Sequence, residues 1–524
     1  METYKNKIVT LYFLFIAIHV TFIWIFPHFP SQDGPSHLYN LVILHDLING
    51  GEQWGKFFEH NLHPVPNLGF FIFTFPFFKF FNPLVIEKIF LSFYIIFFAS
   101  AFPFFLKSFN SPLFPHSFLV FPALLNFNLF MGFYSYIISI PFFLVFFALS
   151  WKIQNSPNLQ KFFLFNFFSI LIFYIHLVSF GFYILSIISI SISKSKNLDE
   201  LVKAFLKLLL LLSPCLLNFA YYLIMFSTQT NVQFPDFSFL FNYKHYIFLY
   251  SDLITFTLLT YPYYQILTFL PFSFLLLVSI YSSVKEIFFK FRHKLEIKDL
   301  QIQKTFFFLI SSLTLIYFIS PSGIGETDTF NQRIPIIIFI FIVPLIRFPK
   351  YLFLKIDINK FILTFIFLFF ICNSIGVFIE NHKIDYYLSG LKVDIPKNAF
   401  IISYKKDKPQ YTRIDSLLHA SGYYAINKYC IDLGNYHANL YNFFVRFKNL
   451  KNNSENLRGN NLKYILTDNN QIDYLISWDL PEMEIEQIRF YFSFIYKNNK
   501  LAIWKKLSPL PAPSQKVEQP YGAL

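Results

Sequence analysis

The chain has 524 residues, of which 55% are hydrophobic and only 14% charged, and 78 of them are phenylalanine. A soluble chain carries nearer a quarter charged residues, so this composition excludes an ordinary globular protein and selects a polytopic integral membrane protein. The formal charge of +13 fits loops lying against anionic lipid; with no basic stripe interleaved with aromatics on a soluble fold, it does not point to nucleic acid.

Apolar runs over 8–27, 67–81, 88–106, 114–131, 134–150, 162–176, 177–193, 205–226, 252–284, 305–320, 334–349 and 360–379 read as spanning segments, about ten to thirteen spans in all. The first is not a removable signal peptide: no small-residue cleavage site follows it, and a second spanning run comes soon after. Pro141, Pro214, Pro262 and Pro271 lie inside apolar stretches, where prolines bend or interrupt helices at places shielded from lipid. Cys215 and Cys372 lie in apolar runs and Cys430 beyond them, which supports neither a disulfide framework nor a cysteine metal site.

Residues 285–304 carry six Lys or Arg against three acids, and Lys5 and Lys7 precede the first run, so both regions face the cytoplasm. Lys194, Lys196, Lys203 and Lys207 place the loop near 200 on the same side, which turns the loops at 28–66, 227–250 and 321–333 outward. Simple alternation through the segments cannot satisfy all of these at once. One pair within 114–150 or 162–193 is therefore wrongly divided or contains a re-entrant piece.

After residue 380 the pattern changes to alternating polar and apolar positions, with strand-like runs at Ala399–Tyr404, Tyr464–Thr467 and Tyr474–Trp478. Phe490–Tyr496 and Leu501–Lys506, joined by Lys497-Asn498-Asn499-Lys500, read as a hairpin. Residues 381–510 thus predict a small mixed α/β domain of about 130 residues, enough for its own core. It is extracytoplasmic if the last helix runs outward. Residues 511–524 are Pro-containing and expected to be disordered.

The outer loop after the first span reads Ser31-Gln32-Asp33-Gly34-Pro35-Ser36-His37-Leu38-Tyr39-Asn40. The Gly34-Pro35 step predicts a turn that leaves the Asp33 carboxylate at the head of a short interfacial helix, Ser36 to Ile48, with Ser36, Tyr39 and Asn40 on one polar face. In the plainest account Asp33 caps this helix, and Ser36 and His37 are solvated first-turn residues. Against that stands the density of polar groups in an otherwise greasy chain, continued by Glu59-His60-Asn61-Leu62-His63-Pro64, a set with the chemistry for metal binding or proton transfer. His176, inside an apolar run, should face the bundle, either toward a substrate or onto a neighbouring backbone carbonyl.

This loop, the segment His63-Pro64-Val65-Pro66-Asn67 and the many-helix core resemble the GT-C membrane glycosyltransferases, in the bacterial group related to protein mannosyltransferases and the aminoarabinose transferases of lipid A. The resemblance covers most of residues 8–380 and implies a GT-C-like helical fold in a bacterial plasma (inner) membrane. Members use a sugar joined to a polyprenyl phosphate and work at the outer membrane face, where the first outer loop carries an essential acid; Asp33 is the match. The common mannosyltransferase pattern has two adjacent acids, whereas Gly34 follows Asp33 here, which leaves metal use and the identity of the base open.

The resemblance thus implies an inverting transfer of the sugar to an extracytoplasmic lipid, glycan or protein acceptor. Asp33 would be the base, with Arg333 or a divalent metal (Mg or Mn) steadying the leaving phosphate. Arg333 ends the outer-loop run Gly325 to Arg333 directly before a span, and its planar fork suits a phosphate, although interfacial snorkelling is its ordinary role. His37, Tyr39, Asn40, His63, His176 and Lys244 complete the candidate substrate contacts, His245 stands beside Lys244, and Asp33, Glu59, His60, Glu326 and Asp328 form the candidate metal set. Arg413, His419, Tyr423 and His437 punctuate an aromatic stretch of the outer domain, fitting either an acceptor sugar or a satisfied core. The alternatives are a transporter or flippase of a lipid-linked glycan, which predicts internal repeats and midplane charges that are not evident, and a scaffold without activity.

Overall fold

The computed structural model describes residues 2–61, 65–153, 159–227, 240–243, 245–247, 249, 259–261, 277, 281, 284–285, 297–321, 329–346, 348, 357–440, 443–448, 461–468 and 471–507. The chain forms two compact units that do not follow its linear order. Residues 1–384, 409–420 and 437–450 make the first, and residues 385–408, 421–436 and 451–524 the second. Read linearly, 381–510 is one domain; by packing, two short segments of that stretch belong to the first unit.

In chain order the long helices are α1 (Glu2–Ile25), α2 (Gly34–Ile48), α3 (Pro83–Ser108), α4 (Tyr134–Ile153), α5 (Leu159–Ile175), α6 (Leu177–Lys194), α7 (Leu198–Ser227), α8 (Ile297–Ile319), α9 (Ile334–Ile342) and α10 (Ile358–Leu388). Among the described residues seven helices are long and apolar enough to cross a bilayer: α1, α3, α4, α6, α7, α8 and α10. Four shorter apolar stretches accompany them, at Gly69–Lys79, His116–Phe130, Leu159–Ile175 and Asn331–Leu345. The protein is a polytopic α-helical membrane protein with a C-terminal mixed-sheet domain. The expected span over 252–284, with Pro262 and Pro271, lies almost wholly outside the described residues.

Helix α4 is the centre of the bundle: two-thirds of its span (67%) is buried, against 17% for α1 and for α7. It packs on α3, α5 and α6; α1 covers α3, and α8 covers α6. Lipid and core are equally apolar, so such helices are held together by shape and by polar pairs rather than by escape from water. The pairs are present: Ser139 with Ser179 at 2.5 Å and Ser150 with Tyr183 at 2.8 Å join α4 to α6, and Thr305 with Ser193 at 2.7 Å joins α8 to α6.

The expected single span over 114–131 is instead three short turns, at His116–Leu119, Val120–Leu124 and Phe127–Phe130. Asn126 makes the break. Its Oδ1 accepts from Leu129 N (3.2 Å), while its Nδ2 donates to Ala123 O (2.8 Å) and Tyr94 Oη (2.9 Å), so the interrupted backbone is satisfied inside protein. The break falls within 114–150, one of the two regions where simple alternation of the segments fails.

The second unit holds a five-stranded sheet of β1 (Phe400–Lys405), β2 (Ile431–Asp432), β3 (Tyr474–Trp478), β4 (Phe492–Asn498) and β5 (Leu501–Lys506), in the order β2-β1-β3-β5-β4. β1 runs parallel to β2 and β3, and β5 antiparallel to β3 and β4. The expected hairpin is present as β4 and β5, with Asn499 in the left-handed region (φ +52°) at its turn. The run at 464–467 is not a strand but a π-helical turn, Tyr464–Asp468, because Leu462, Ile465 and Leu466 recur at helical spacing and bury together with Leu475, Ile488 and Trp504. Residues 511–524 lie outside the described residues.

Candidate active site

The site grows from the start of α2. The amides of Gln32 and Asp33 donate to Phe130 O (2.9 Å) and Met131 O (3.1 Å), which ties the head of the helix to the segment between the broken turns and α4. Gly132 sits at φ +80°, and a Cβ on it would fall 2.6 Å from Gly34 N and 2.9 Å from Asp33 N, so only glycine fits there. Gly34 serves space rather than a turn. Its φ is not left-handed, and a Cβ would lie 2.1 Å from Ser31 Oγ and 2.6 Å from Tyr134 Oη. Pro35 then occupies the first turn of α2, where a missing N–H costs nothing.

Asp33 stands at the N-cap position yet makes no capping hydrogen bond. Its Oδ1 lies 3.6 Å from His419 Nε2, and both side chains are largely buried. One turn along, Ser36 Oγ bonds His437 Nδ1 at 2.8 Å, and Asn40 Nδ2 donates to Ser36 O at 2.8 Å. The His437 ring stacks on Phe443 (4.7 Å between centroids) and lies 5.0 Å from the ring of His37. His37 also faces Phe70, Phe71 and Tyr134. Its Nδ1 is buried without a hydrogen-bond partner among the described residues, and burial pushes the imidazole down to about 4, outweighing a hydrogen bond with the Gly132 backbone. His37 is therefore neutral at physiological pH and brings no charge to the site.

Both partner histidines come from the two segments that return to the first unit, 409–420 and 437–450. The second pairs with the chain just after α2 as a short antiparallel ladder, Phe58–His60 against Val445–Phe447. On that ladder Glu59 and His60 are exposed, Glu59 opposite Arg446. Among the described residues no group of three or more His, Cys, Asp and Glu side chains is placed to hold a metal ion, and Asp33, Glu59 and His60 are not gathered into one. Glu326 and Asp328 lie outside the described residues, as do His63 and Lys244.

A cationic side is built on the same 126–136 stretch. Arg333, buried at the end of the turn Asn331–Arg333, lays its guanidinium 4.3 Å from the ring centre of Phe133 and 6.0 Å from that of Tyr136. Tyr136 Oη donates to the Arg333 carbonyl, and Asn128 Nδ2 to Gln332 O (3.2 Å). Arg413 lies 4.1 Å over Phe127. His176 is the single extended residue between α5 and α6, its ring 5.0 Å from Tyr136, its Nδ1 buried without a partner among the described residues. The first amide of α6, on Leu177, is capped by Asn67 Oδ1 at 3.1 Å. Thus Asp33, Arg333, Arg413 and His37 all rest on one short stretch of chain, and His176 touches its last residue.

Tyr39 and Asn40 are not presented to a ligand. Tyr39 packs edge-on against Trp54 (5.4 Å) and Phe58 (6.2 Å) with no exposure, and the amide of Asn40 braces Ser36 within the helix. Glu87, directly before an apolar run, has no sequence pattern that links it to this site. It is buried on α3, accepts from Tyr134 Oη at 2.5 Å, and lies 3.0 Å from where a Gly34 Cβ would be, which puts a second carboxylate beside the head of α2. A lone acid at the edge of a span was the signal available. No protein-family model and no curated protein matches the chain. The chemistry of the site rests on its own residues.

Proposed function

We propose that the protein transfers a glycosyl unit from a polyprenyl-phosphate donor to a hydroxyl of a lipid, glycan or protein acceptor, with inversion, at the outer face of a bacterial plasma membrane. The observation that carries this is Asp33: a carboxylate at the head of α2 that does not cap it, on the same backbone stretch that supports the Arg333 guanidinium. Asp33 takes the proton of the acceptor hydroxyl as its oxygen attacks the anomeric carbon. The bond from that carbon to the phosphate oxygen breaks on the opposite face, and the electron pair leaves with the phosphate. Arg333, held over the Phe133 ring, offers a planar fork where that negative charge grows. His176, at the head of α6 and beside Tyr136, fits the phosphate end rather than the acceptor end.

The test is sugar transfer by the full chain in membranes supplied with polyprenyl-phosphate sugars. Asp33→Asn should lower the rate by at least about a hundredfold, the usual contribution of a placed base. Equal rates in the two proteins would remove Asp33 from the reaction.

A further inference from the structure

The segment 409–420 is fastened to the membrane unit far more firmly than a surface loop needs. Glu380, buried on α10, accepts from Thr412 Oγ1 at 2.5 Å and from Ser416 Oγ, and Lys383 stands 3.8 Å from it. Arg413 N donates to Leu259 O (2.8 Å), Thr412 pairs with Thr260 as an isolated bridge, and Asp415 N donates to Gln32 Oε1 (3.1 Å). Ile414, Leu417 and Ala420 are buried between these ties. The last tie, Gln32, adjoins Asp33. The outcome of the arrangement is one imidazole, His419, delivered to one carboxylate at 3.6 Å. That is beyond hydrogen-bond length, and acid–base pairs commonly close only once substrate is bound.

We propose that His419 is the proton-accepting partner of Asp33: it takes from the carboxylate the proton that each transfer releases and returns Asp33 to its charged form. This rests on the transfer reading above. The acceptor's O–H proton passes to Asp33 as the new glycosidic bond forms and the phosphate departs. It then moves to Nε2 of the neutral imidazole, and the opposite nitrogen releases its own proton toward the outer aqueous side. Nothing is oxidised or reduced, and the one proton lost by the acceptor hydroxyl is released on the side where the acceptor lies. His419 acts through Asp33 and is a positioning residue, with Glu380 as its anchor. The other titratable groups around the pair are His37 on α2, Glu87 on α3, Tyr134 on α4, Arg413 and Asp415 on the returning segment, Glu380 on α10 and His437 on the second segment.

Two measurements on the full chain in lipid nanodiscs test this. In the transfer assay, His419→Gln should cost about tenfold in rate, with the donor KM changed by less than about twofold, and should cost nothing further in the Asp33→Asn background, because groups acting as one unit are not additive. An undiminished rate, or the same tenfold loss in both backgrounds, overturns the proposal. The second measurement needs no turnover. In histidine-labelled protein, the NMR signal that disappears in His419→Gln should titrate at least about half a pH unit lower in Asp33→Asn, since a neighbouring carboxylate favours the imidazolium. An unmoved midpoint overturns the pairing. Absence of transfer by the wild-type protein, with the midpoint shifting as expected, would sink the transfer reading and leave the coupled pair standing.

Discussion

The two units handle buried polar groups in opposite ways. In the sheet domain water opposes the core, so apolar alternation decides what is inside: Leu475, Ile476, Ile503 and Trp504 are buried on paired strands, and a buried polar atom is tied to a neighbour on the next strand, as Trp504 Nε1 is to Ser477 Oγ at 2.8 Å. In the bundle both surfaces are apolar. Phe13, Leu210 and Phe307 point outward while Phe98, Phe102 and Phe143 point inward, and hydropathy cannot tell them apart. There the polar groups set the helix pairing, and they are concentrated around α2.

That difference can be broken by mutation. Trp504→Ala should destabilise the sheet domain by about 3–5 kcal/mol, the usual cost of emptying a large aromatic site, read by chemical denaturation of the full chain with far-UV circular dichroism; a loss below about 1 kcal/mol would mean that the sheet does not depend on its core. Next comes Asp432, buried against Ser421 Oγ and the Gly434 amide, whose carboxyl is pushed up to about 6 by that burial. The native state then binds this proton more tightly than the unfolded chain, so the stabilisation is complete below about pH 4 and is lost as pH rises through about 6. The sheet domain should therefore be more stable at pH 5 than at pH 7, by about 1.3 kcal/mol, and Asp432→Asn should flatten that slope. The smallest effect is expected in the bundle. Tyr183→Phe deletes the bond to Ser150 but keeps the ring, and should cost only about 0.6 kcal/mol in detergent unfolding, because the separated helix finds other partners. A cost rivalling that of Trp504→Ala would erase the contrast between the units.

Much of the scaffold is legible from residue order alone. The spans at α1, α3, α4, α6, α7, α8 and α10 follow from apolar runs of sufficient length, and the β4–β5 hairpin follows from alternation around an Asn-Asn turn. Asp33, His37, His176 and Arg333 stand out because a polar group in a greasy chain needs a reason. Other features are not legible this way. The 464–467 run looks like a strand until Leu462 is counted with Ile465 and Leu466, and Tyr39 looks like a ligand contact until Trp54 and Phe58 close over its ring.

Residue order by itself determines a membrane bundle followed by a mixed-sheet domain, together with an acid at the turn after the first span, because transfer energies and strand alternation act over a few residues at a time. Tertiary structure alone decides what meets that acid. His419 and His437 lie about four hundred residues beyond Asp33 and Ser36, in two segments that leave the sheet domain to join the first unit. No local pattern encodes such an encounter. It depends on Glu380 holding Thr412 and Ser416, and on the ladder between Phe58–His60 and Val445–Phe447, which are contacts that exist only when distant parts of the chain are already in place.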